Sequence, residues 1–553
     1  SNAIFLSKVV VDKYIIMIKM GNVKMMIKTG LYCLFFLFFS LSMIARDFKH
    51  PGLLHSQEDL NRIKQLVKQA AYPAMGSYEL LKKSQESSYN YEMKGPFENI
   101  SRAGKYGYTK YPCESDCNAA YYNSLMWNIT NDVRHADKAM EILRGYAGTL
   151  QKIHGPDDPL CAGLQGFMLI NAAEIMRYTY KQVEYTNGWT KEDTQQVERM
   201  FREVFLPVLT TFVEAKPYAN GNWGGSVNKM RMAIAIFSND VDLYNKVVDF
   251  FYYSRDNGSL PNYISEIGQL QETGRDQAHC MLGVGVLAEL AECAWKQGDD
   301  LYGALDNRIL KGYEYLSKLN LGYSEVPFKV WKDATGKYCN WQTIGEASLG
   351  EFRAVFEIAY NHYVMRRGLK MPYTEKVLQR IRPEGVGWTC DNPGLGTLLF
   401  YLGEAEPLPS EGQINENLQY AWKGWSMESP SLKPINGDLL LVNPGIRMEK
   451  SRITYDAAKY PYIKVVFNHY PKTCKDGWLR VCYSVNSAPE YWTFYEKDAV
   501  WKDENTYVFC VKNMRSNNGT IFTEGKRQIT LLLDFGFLEQ VGIKTIVSIA
   551  DLY

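Results

Sequence analysis

Between Leu60 and Tyr401 apolar residues recur at three-and-four spacing, the signature of amphipathic or buried helices. The pattern predicts helices over Ala136–Leu150, Gly163–Tyr180, Thr194–Val213, Asp240–Tyr253, His279–Gln297 and Asn307–Leu319. The loops between them are long and rich in Gly, Pro, Asn and Asp. Helix hairpins without a convincing strand pair, and without a repeat of fixed length, predict an (α/α) toroid or incomplete barrel rather than a solenoid. The register changes after Leu408-Pro409-Ser410-Glu411-Gly412. Short alternating or apolar runs follow at Asp438–Val442, Tyr462–Phe467, Trp478–Ser484, Tyr491–Tyr495, Thr506–Val511, Gln528–Leu533 and Ile543–Ile549. Turn clusters such as Ser516-Asn517-Asn518-Gly519 separate them, which predicts an antiparallel β-sandwich of jelly-roll type. The expected fold class is multidomain α + β, a toroid over 46–408 followed by a sandwich over 413–553.

The N-terminus reads differently. Ser1-Asn2-Ala3 is taken as an expression remnant. Lys24 and Lys28 precede an apolar run from Leu31 to Ile44 that ends at Ala45, the cationic flank, apolar core and small exit residue of a secretory signal. The run falls short of the ~20 residues of a membrane span. Residues 1–45 are therefore expected to be scar and signal peptide, with a mature chain starting near Arg46 in the periplasm or outside the cell. Leu31-Tyr32 precede Cys33, where a lipid-anchor cysteine wants small neighbours, so a soluble exported protein is expected. Oxidising surroundings permit a Cys113–Cys117 disulfide, and a buried free pair fits equally well.

Composition narrows the function classes. With 46% hydrophobic and 22% charged residues the chain is globular rather than disordered. Lys+Arg 62 against Asp+Glu 61 leaves +1; removing the five Lys and one Asp of residues 1–45 leaves 57 against 60, or −3. Neither balance draws nucleic acid or an anionic membrane, so no such partner is expected, and cations that hold an anionic ligand must be local. Tyr 39 and Trp 12 suit a core and also the flat faces of sugars.

Polar residues gather at a few places in the helical half. In Gln271-Glu272-Thr273-Gly274-Arg275-Asp276-Gln277-Ala278-His279, Thr273 with Asp276 resembles a capping box, which would start a helix there and put Arg275 and His279 four apart on one face. A cation, an imidazole and carboxylates would then meet at a helix N-terminus; a capped helix with an ion pair and a core histidine is the bland alternative. Tyr218-Ala219-Asn220-Gly221-Asn222-Trp223-Gly224-Gly225 reads as a tight loop whose Asn222 amide can donate to a carboxylate and whose Trp223 can stack on a sugar, or simply as caps and a core plug. In Glu357-Ile358-Ala359-Tyr360-Asn361-His362-Tyr363, Tyr360 and Tyr363 share a helical face and Glu357 reaches Asn361, which an aromatic core stripe also explains. Tyr106, Tyr108, Tyr111, Asn118, Tyr121, Tyr122 and Trp127 form an aromatic stretch that would line a glycan groove or a core, and Gln165 is a weaker candidate of the same sort. The phosphate-loop, Gly-x-Ser-x-Gly and His-Glu-x-x-His signatures are absent, and no second Cys or His pair follows Cys113 and Cys117 at ligand spacing. No metal or cofactor is expected.

In this order, Asn220-Gly221-Asn222-Trp223, Glu272 to His279 and Tyr360-Asn361-His362-Tyr363 resemble the alginate-lyase-like superfamily of polysaccharide lyases. Trp295-Lys296-Gln297-Gly298-Asp299-Asp300-Leu301-Tyr302 and Gly312-Tyr313-Glu314-Tyr315 fit as well, and the likeness covers roughly residues 48–405. It implies an (α/α) toroid and β-elimination on a uronic-acid polysaccharide. The C-terminal part looks like a carbohydrate-binding jelly roll. Trp223 stands where the family's alginate lyases carry a His after two Asn, and Cys280, Met281 and Leu282 stand where they place a Tyr. Asn222 and Arg275 carry over as groups beside the substrate carboxylate.

Such chemistry needs the uronate carboxylate neutralised, a base for the C5 proton and an acid for the O4 leaving group. The expected catalytic residues are Asn222, Arg275 and Glu272 at the carboxylate, His279 as base and Tyr363 as acid, with Tyr111 or Tyr122 as next choices. Trp223, Tyr111, Asn118, Tyr122, Trp127, Gln165 and His362 are expected to contact an acidic polysaccharide or oligosaccharide. The alternatives are a glycoside hydrolase working through Glu272 and Asp276, and a glycan-binding protein without catalysis.

Overall fold

The computed structural model describes residues 46–183, 187–215, 220–331, 341–405, 410–418, 425–427, 447–469, 479–485, 488–522, 524–534 and 541–552. The expected scar and signal, the strand expected over Asp438–Val442 and most of the expected boundary before Ser410 lie outside them. Lys49–Tyr553 is one compact unit.

Its helices, in chain order, are α1 (Gln57–Lys68), α2 (Ala74–Lys83), α3 (Lys110–Thr130), α4 (Val133–Thr149), α5 (Asp158–Thr179), α6 (Lys191–Met200), α7 (Leu206–Glu214), α8 (Gly221–Phe237), α9 (Val241–Tyr253), α10 (Gln277–Lys296), α11 (Ala304–Asn320), α12 (Glu357–Tyr360), α13 (Pro372–Ile381) and α14 (Gly396–Leu399). Two kinds of sequence make them. The surface helices α1 and α6 are amphipathic and begin with reciprocal caps, Ser56 with Asp59 and Thr190 with Asp193. In contrast, α5, α8 and α10 are apolar nearly all round and rich in Gly and Ala, a composition that buries a helix on every side.

Paired contacts fix how the buried helices run. Gly163 and Gly166 of α5 abut Ser226 and Met230 of α8. Gly225 and Lys229 of α8 meet Val286 and Glu289 of α10. Gly285 and Glu292 of α10 meet Val355 and Arg366, on either side of α12. In each pair both numbers rise together, so neighbours are parallel. The last turns of α3 and α5 touch through Trp127 Nε1, which donates to Thr179 Oγ1 at 3.3 Å. Gly396 of α14 packs on Glu357, and just before α14 Thr389 accepts from Asn118 Nδ2 of α3 at 3.1 Å. That last contact closes the ring α3-α5-α8-α10-α12-α14. Outer helices return antiparallel, as α4 does on α3 through Tyr146 to Asp116 and His135 to Asn123. The predicted toroid is present and closed.

Because the inner helices are parallel, their N-terminal ends gather at one mouth. Each such end leaves backbone N–H groups unsatisfied and carries a partial positive charge. The expected loop at Gly221–Gly225 is in fact the first turn of α8, since Asn220 accepts from the Trp223 amide and the helix starts at once.

The C-terminal strands are β3 (Asn415–Asn417), β4 (Ser426–Met427), β5 (Arg447–Asp456), β6 (Tyr462–His469), β7 (Leu479–Val485), β8 (Ala488–Phe494), β9 (Ala499–Lys502), β10 (Thr506–Cys510), β11 (Lys526–Asp534) and β12 (Gly542–Ile549); β1 (Asn99–Ser101) and β2 (Lys152–His154) form a small parallel pair in the toroid. Two antiparallel sheets, ordered β3-β12-β6-β10-β9 and β4-β5-β11-β7-β8, share one core. Ile529, Leu531 and Leu533 alternate inward along β11, and Phe494 meets Phe509 across the sheets at 5.0 Å. Asp456 N donates to Gly412 O and Lys526 pairs with Glu411, so the chain has joined the sandwich by Glu411.

Candidate active site

The site is built on the entry to α10. Asp276, not Thr273, is the N-cap: one carboxylate oxygen accepts the His279 amide at 2.8 Å and the other bonds His279 Nδ1 at 2.7 Å. Thr273 Oγ1 instead accepts from the Leu270 amide, because residues 271–275 form a turn before the helix. Arg275 therefore lies ahead of the helix, and the expected shared face with His279 does not exist. What the sequence Asp-x-x-His makes here is a dyad. With Nδ1 tied to a carboxylate, the ring is oriented and Nε2 is left to face outward, the arrangement of a general base. The His279 side chain is 37% exposed. Asp276 is pushed up by burial but pulled further down by its bonds to His279, so it stays ionised.

Behind this dyad sits Glu272, wholly buried. It accepts from Asn222 Nδ2 at 2.6 Å, the Asn222 amide at 3.2 Å, Tyr263 Oη at 3.2 Å and Arg275 Nη1 at 2.9 Å. Burial raises its pKa, opposed by Arg275, His279 and Asn222. All four partners are donors, which is the surrounding of a carboxylate rather than of a neutral acid. Glu272 thus locks α8, the Leu260–Tyr263 turn and Arg275 to α10. The guanidinium of Arg275, 29% exposed, bridges Glu272 and, at 3.5 Å, Asp276.

A strap covers one side. Gly345 N donates to Thr273 O at 2.9 Å, Gln277 Nε2 to Gly345 O at 2.8 Å and Gln277 N to Ala347 O at 3.0 Å. Trp341 at its start leaves no room for a side chain on Gly274, which is why a glycine stands there. On the α8 side Gly224 lets Asp256 approach the helix; burial pushes that carboxyl up to about 7.

Of the expected residues, the structure brings Asn222, Glu272, Arg275 and His279 together. Asn222 is 1% exposed with its Nδ2 on Glu272, so it is a post for the carboxylate rather than a group that touches a ligand; Glu272, fully buried, is likewise a support. Trp223 is half-buried on the first turn of α8, beside Phe212.

Tyr363 and His362 lie elsewhere. Tyr363 is buried and donates to Tyr302 O at 2.7 Å; His362 is stacked on Tyr302 at 3.8 Å and edge-on to Trp295. Both sit by Arg366, which grips Glu292 near the far end of α10. Thirteen residues at ~1.5 Å each put that place about 20 Å from His279, so neither is a proton donor or a sugar contact at this site. The π turn Asn361–Arg366 also removes the ideal helical face assumed for this segment. Trp127 sits in the last turn of α3 with its Nε1 on Thr179, away from the dyad, and Gln165 is buried in α5 with neither amide atom partnered. Tyr111, Asn118 and Tyr122 line a hollow of about 280 Å³ that runs along α3, with Tyr111 in its first turn and Tyr122 about three turns further down the helix.

Residues absent from the expected set complete the rim. The Arg353 amide approaches Met281 Sδ at 3.3 Å, Arg353 Nη1 pairs with Asp391 at 2.8 Å, and its guanidinium lies 5.6 Å from the ring of the exposed Trp388. They follow gaps of ordinary loop sequence and carried no local signal; the Asp-x-x-His dyad did. Cys113 and Cys117 are free and buried, Sγ atoms 3.9 Å apart. Among the described residues no three His, Cys, Asp or Glu are grouped as a metal site.

Residues 95–321 match the family model described as alginate lyase, a span that includes Asn222 to His279 and ends before Tyr363. Among solved structures the chain is similar to alginate lyase A1-III from Sphingomonas species A1, at 12% identity over 62% of this chain and 95% of that one, with a TM-score of 0.45. An alginate lyase from Bacteroides ovatus aligns at 14% identity over 64% and 99%, TM-score 0.43. Heparinase III aligns at 11% identity over 90% and 93%, TM-score 0.34. No curated protein matches the chain.

Proposed function

For a chain whose helical domain is that of an alginate-lyase-like polysaccharide lyase, we propose β-elimination on a uronic-acid-containing polysaccharide, with His279 as base. The observation that carries this reading is the Asp276–His279 dyad opening on the mouth beside Arg275. A uronate carboxylate placed on Arg275 would have its charge opposed as the C5–H bond weakens, which stabilises the enolate-like transition state. His279 Nε2 takes the C5 proton, the C–H electron pair becomes the C4–C5 double bond, and the C4–O4 bond breaks. O4 then needs a proton, and the imidazolium just formed is an acid exposed in the same cluster. Arg275 keeps its aim because Glu272 holds it from behind.

The hydrolase alternative needs two carboxylates facing the glycosidic bond. Glu272 is buried under four donors and Asp276 is occupied as cap and dyad partner, so this geometry favours elimination. We further propose export of the protein through the leader at 1–45 and a carbohydrate-binding role for the sandwich.

Mass spectrometry of digested uronate polymers tests the reaction type. Elimination splits a chain into fragments whose masses sum to the parent. Fragments heavier by one water per cut would sink the reading in favour of hydrolysis.

A further inference from the structure

The mouth extends well beyond His279. From Met281 the wall passes to Arg353, then Trp388, then Val386 and Gly387. A trough of about 720 Å³ is lined by Arg353, Glu384, Val386, Gly387 and Trp388, and Val386 and Gly387 also line the 280 Å³ hollow on α3. The two depressions therefore share a wall. Inner helices pack ~8–10 Å apart, and α3 stands opposite α10 in the ring, so the hollow is roughly 20 Å, several sugar units, from the dyad.

The hollow has unmet hydrogen bonds. Glu114 is 2% exposed; Oε1 accepts from Arg102 at 2.9 Å, but Oε2 has no partner. Tyr122 is 1% exposed, and its hydroxyl, next to the Gly387 amide, donates to no acceptor. Asn118 is held by Thr389 and Cys390 and serves as floor. Over these lies Tyr111, 66% exposed, an aromatic face to stack on a sugar ring. One buried acceptor, one buried donor and an aromatic platform match a ring bearing hydroxyls, which both gives and takes hydrogen bonds. Burial already raises the Glu114 pKa, and a uronate carboxylate placed beside it would disfavour its charge further, a cost that an uncharged ring avoids. Of the nearby cations, Arg102 pairs with Glu114 and Lys110 lies over one face of the Tyr111 ring, which leaves the other face for a sugar.

We infer that this hollow is a binding site for an uncharged sugar, so that the protein's ligand is a mixed polysaccharide carrying neutral units as well as uronates. The inference rests on the proposed lyase reading for what happens at His279, but the hollow can be tested without turnover.

The experiment is binding of neutral tetrasaccharides of glucose, mannose and galactose to the full chain, followed by saturation-transfer NMR and calorimetry. Tyr111→Ala and Glu114→Gln are run beside the parent, with circular dichroism to confirm folding. At least one neutral tetramer should bind, about 10-fold more weakly in each variant. Binding of none, or binding indifferent to both substitutions, overturns the subsite. Tyr111-dependent binding in a protein that eliminates no uronate polymer would remove the lyase reading and leave the subsite; elimination without neutral-sugar binding would do the reverse.

Discussion

Glu272→Gln is the sharpest probe of how the site is held. The carboxylate accepts four hydrogen bonds, from Asn222 Nδ2, Asn222 N, Tyr263 Oη and Arg275 Nη1. A glutamine has the same shape, yet its amide nitrogen would point hydrogens at donors on one side. The loss combines a charge-assisted bond, ~1.5–3 kcal/mol, with at least one buried donor left unpaired, ~1–3 kcal/mol. Discounting the Arg275 part, since that side chain is 29% exposed, leaves about 3 kcal/mol. Against a typical stability of ~5–15 kcal/mol this is a large fraction. Urea unfolding followed by the helical circular dichroism signal should show it as a lower midpoint, and a cycle with Asn222→Ala should give a coupling of about 1–3 kcal/mol. Turnover should fall about 10²-fold, because Arg275 loses its anchor. The reasoning fails if Glu272→Gln is within about 0.5 kcal/mol of the parent. A protonated carboxyl is matched by an amide, so a silent substitution would mean that Glu272 is neutral and that the four-donor reading is wrong.

Other consequences follow from the same contacts. Asp276→Asn should lower kcat by about 10²–10³-fold while the α10 cap largely survives, since the amide oxygen can still accept the His279 N–H; steady-state kinetics with unchanged thermal stability would confirm a role in orienting the base. Burial holds His55 and His362 at about 4, below the ordinary 6.5. The unfolded chain then takes up protons first as pH falls, so stability is full above ~6.5 and drains down to ~4, by up to about 3 kcal/mol per histidine. His362→Phe, which keeps the stack on Tyr302, should flatten that slope in urea midpoints measured from pH 7 to 4, and an unchanged slope would refute it. Asp256 has the opposite sign. Its carboxyl, raised to about 7 by burial, is favoured while protonated, and that stability is lost as pH rises from about 4 through 7. Asp256→Asn keeps an acceptor for the Gly258 amide and should be more stable than the parent at pH 8; a loss there would contradict the raised value.

Much of this architecture was legible in the chain because it is periodic. The three-and-four spacing of α4, α5, α9 and α10 placed them within a few residues, and the alternation in β11 marked the sandwich. Two errors had different physical sources. Gly221-Asn222-Trp223-Gly224-Gly225 looks like loop chemistry, but in a packed toroid those glycines serve close approach, as Gly224 does for Asp256, and α8 begins there. Tyr363 was grouped with the site by its place in a motif, whereas depth along α10 decides contact, and it lies at the opposite end. The clustering of Asn222, Arg275 and His279 was legible because charged and amide groups at a helix entry are locally visible. Arg353, Asp391 and Trp388 were not, since only ring closure brings their loops to the mouth.

The most direct measurement follows ultraviolet absorbance while the full chain digests a panel of uronate polymers. Elimination leaves a conjugated double bond at the new non-reducing end. The account predicts absorbance rising in step with new reducing ends for at least one uronate polymer, and a fall of at least about 10²-fold in that rate for His279→Ala. New reducing ends without absorbance, or a His279→Ala protein that keeps the parent's rate, would contradict it.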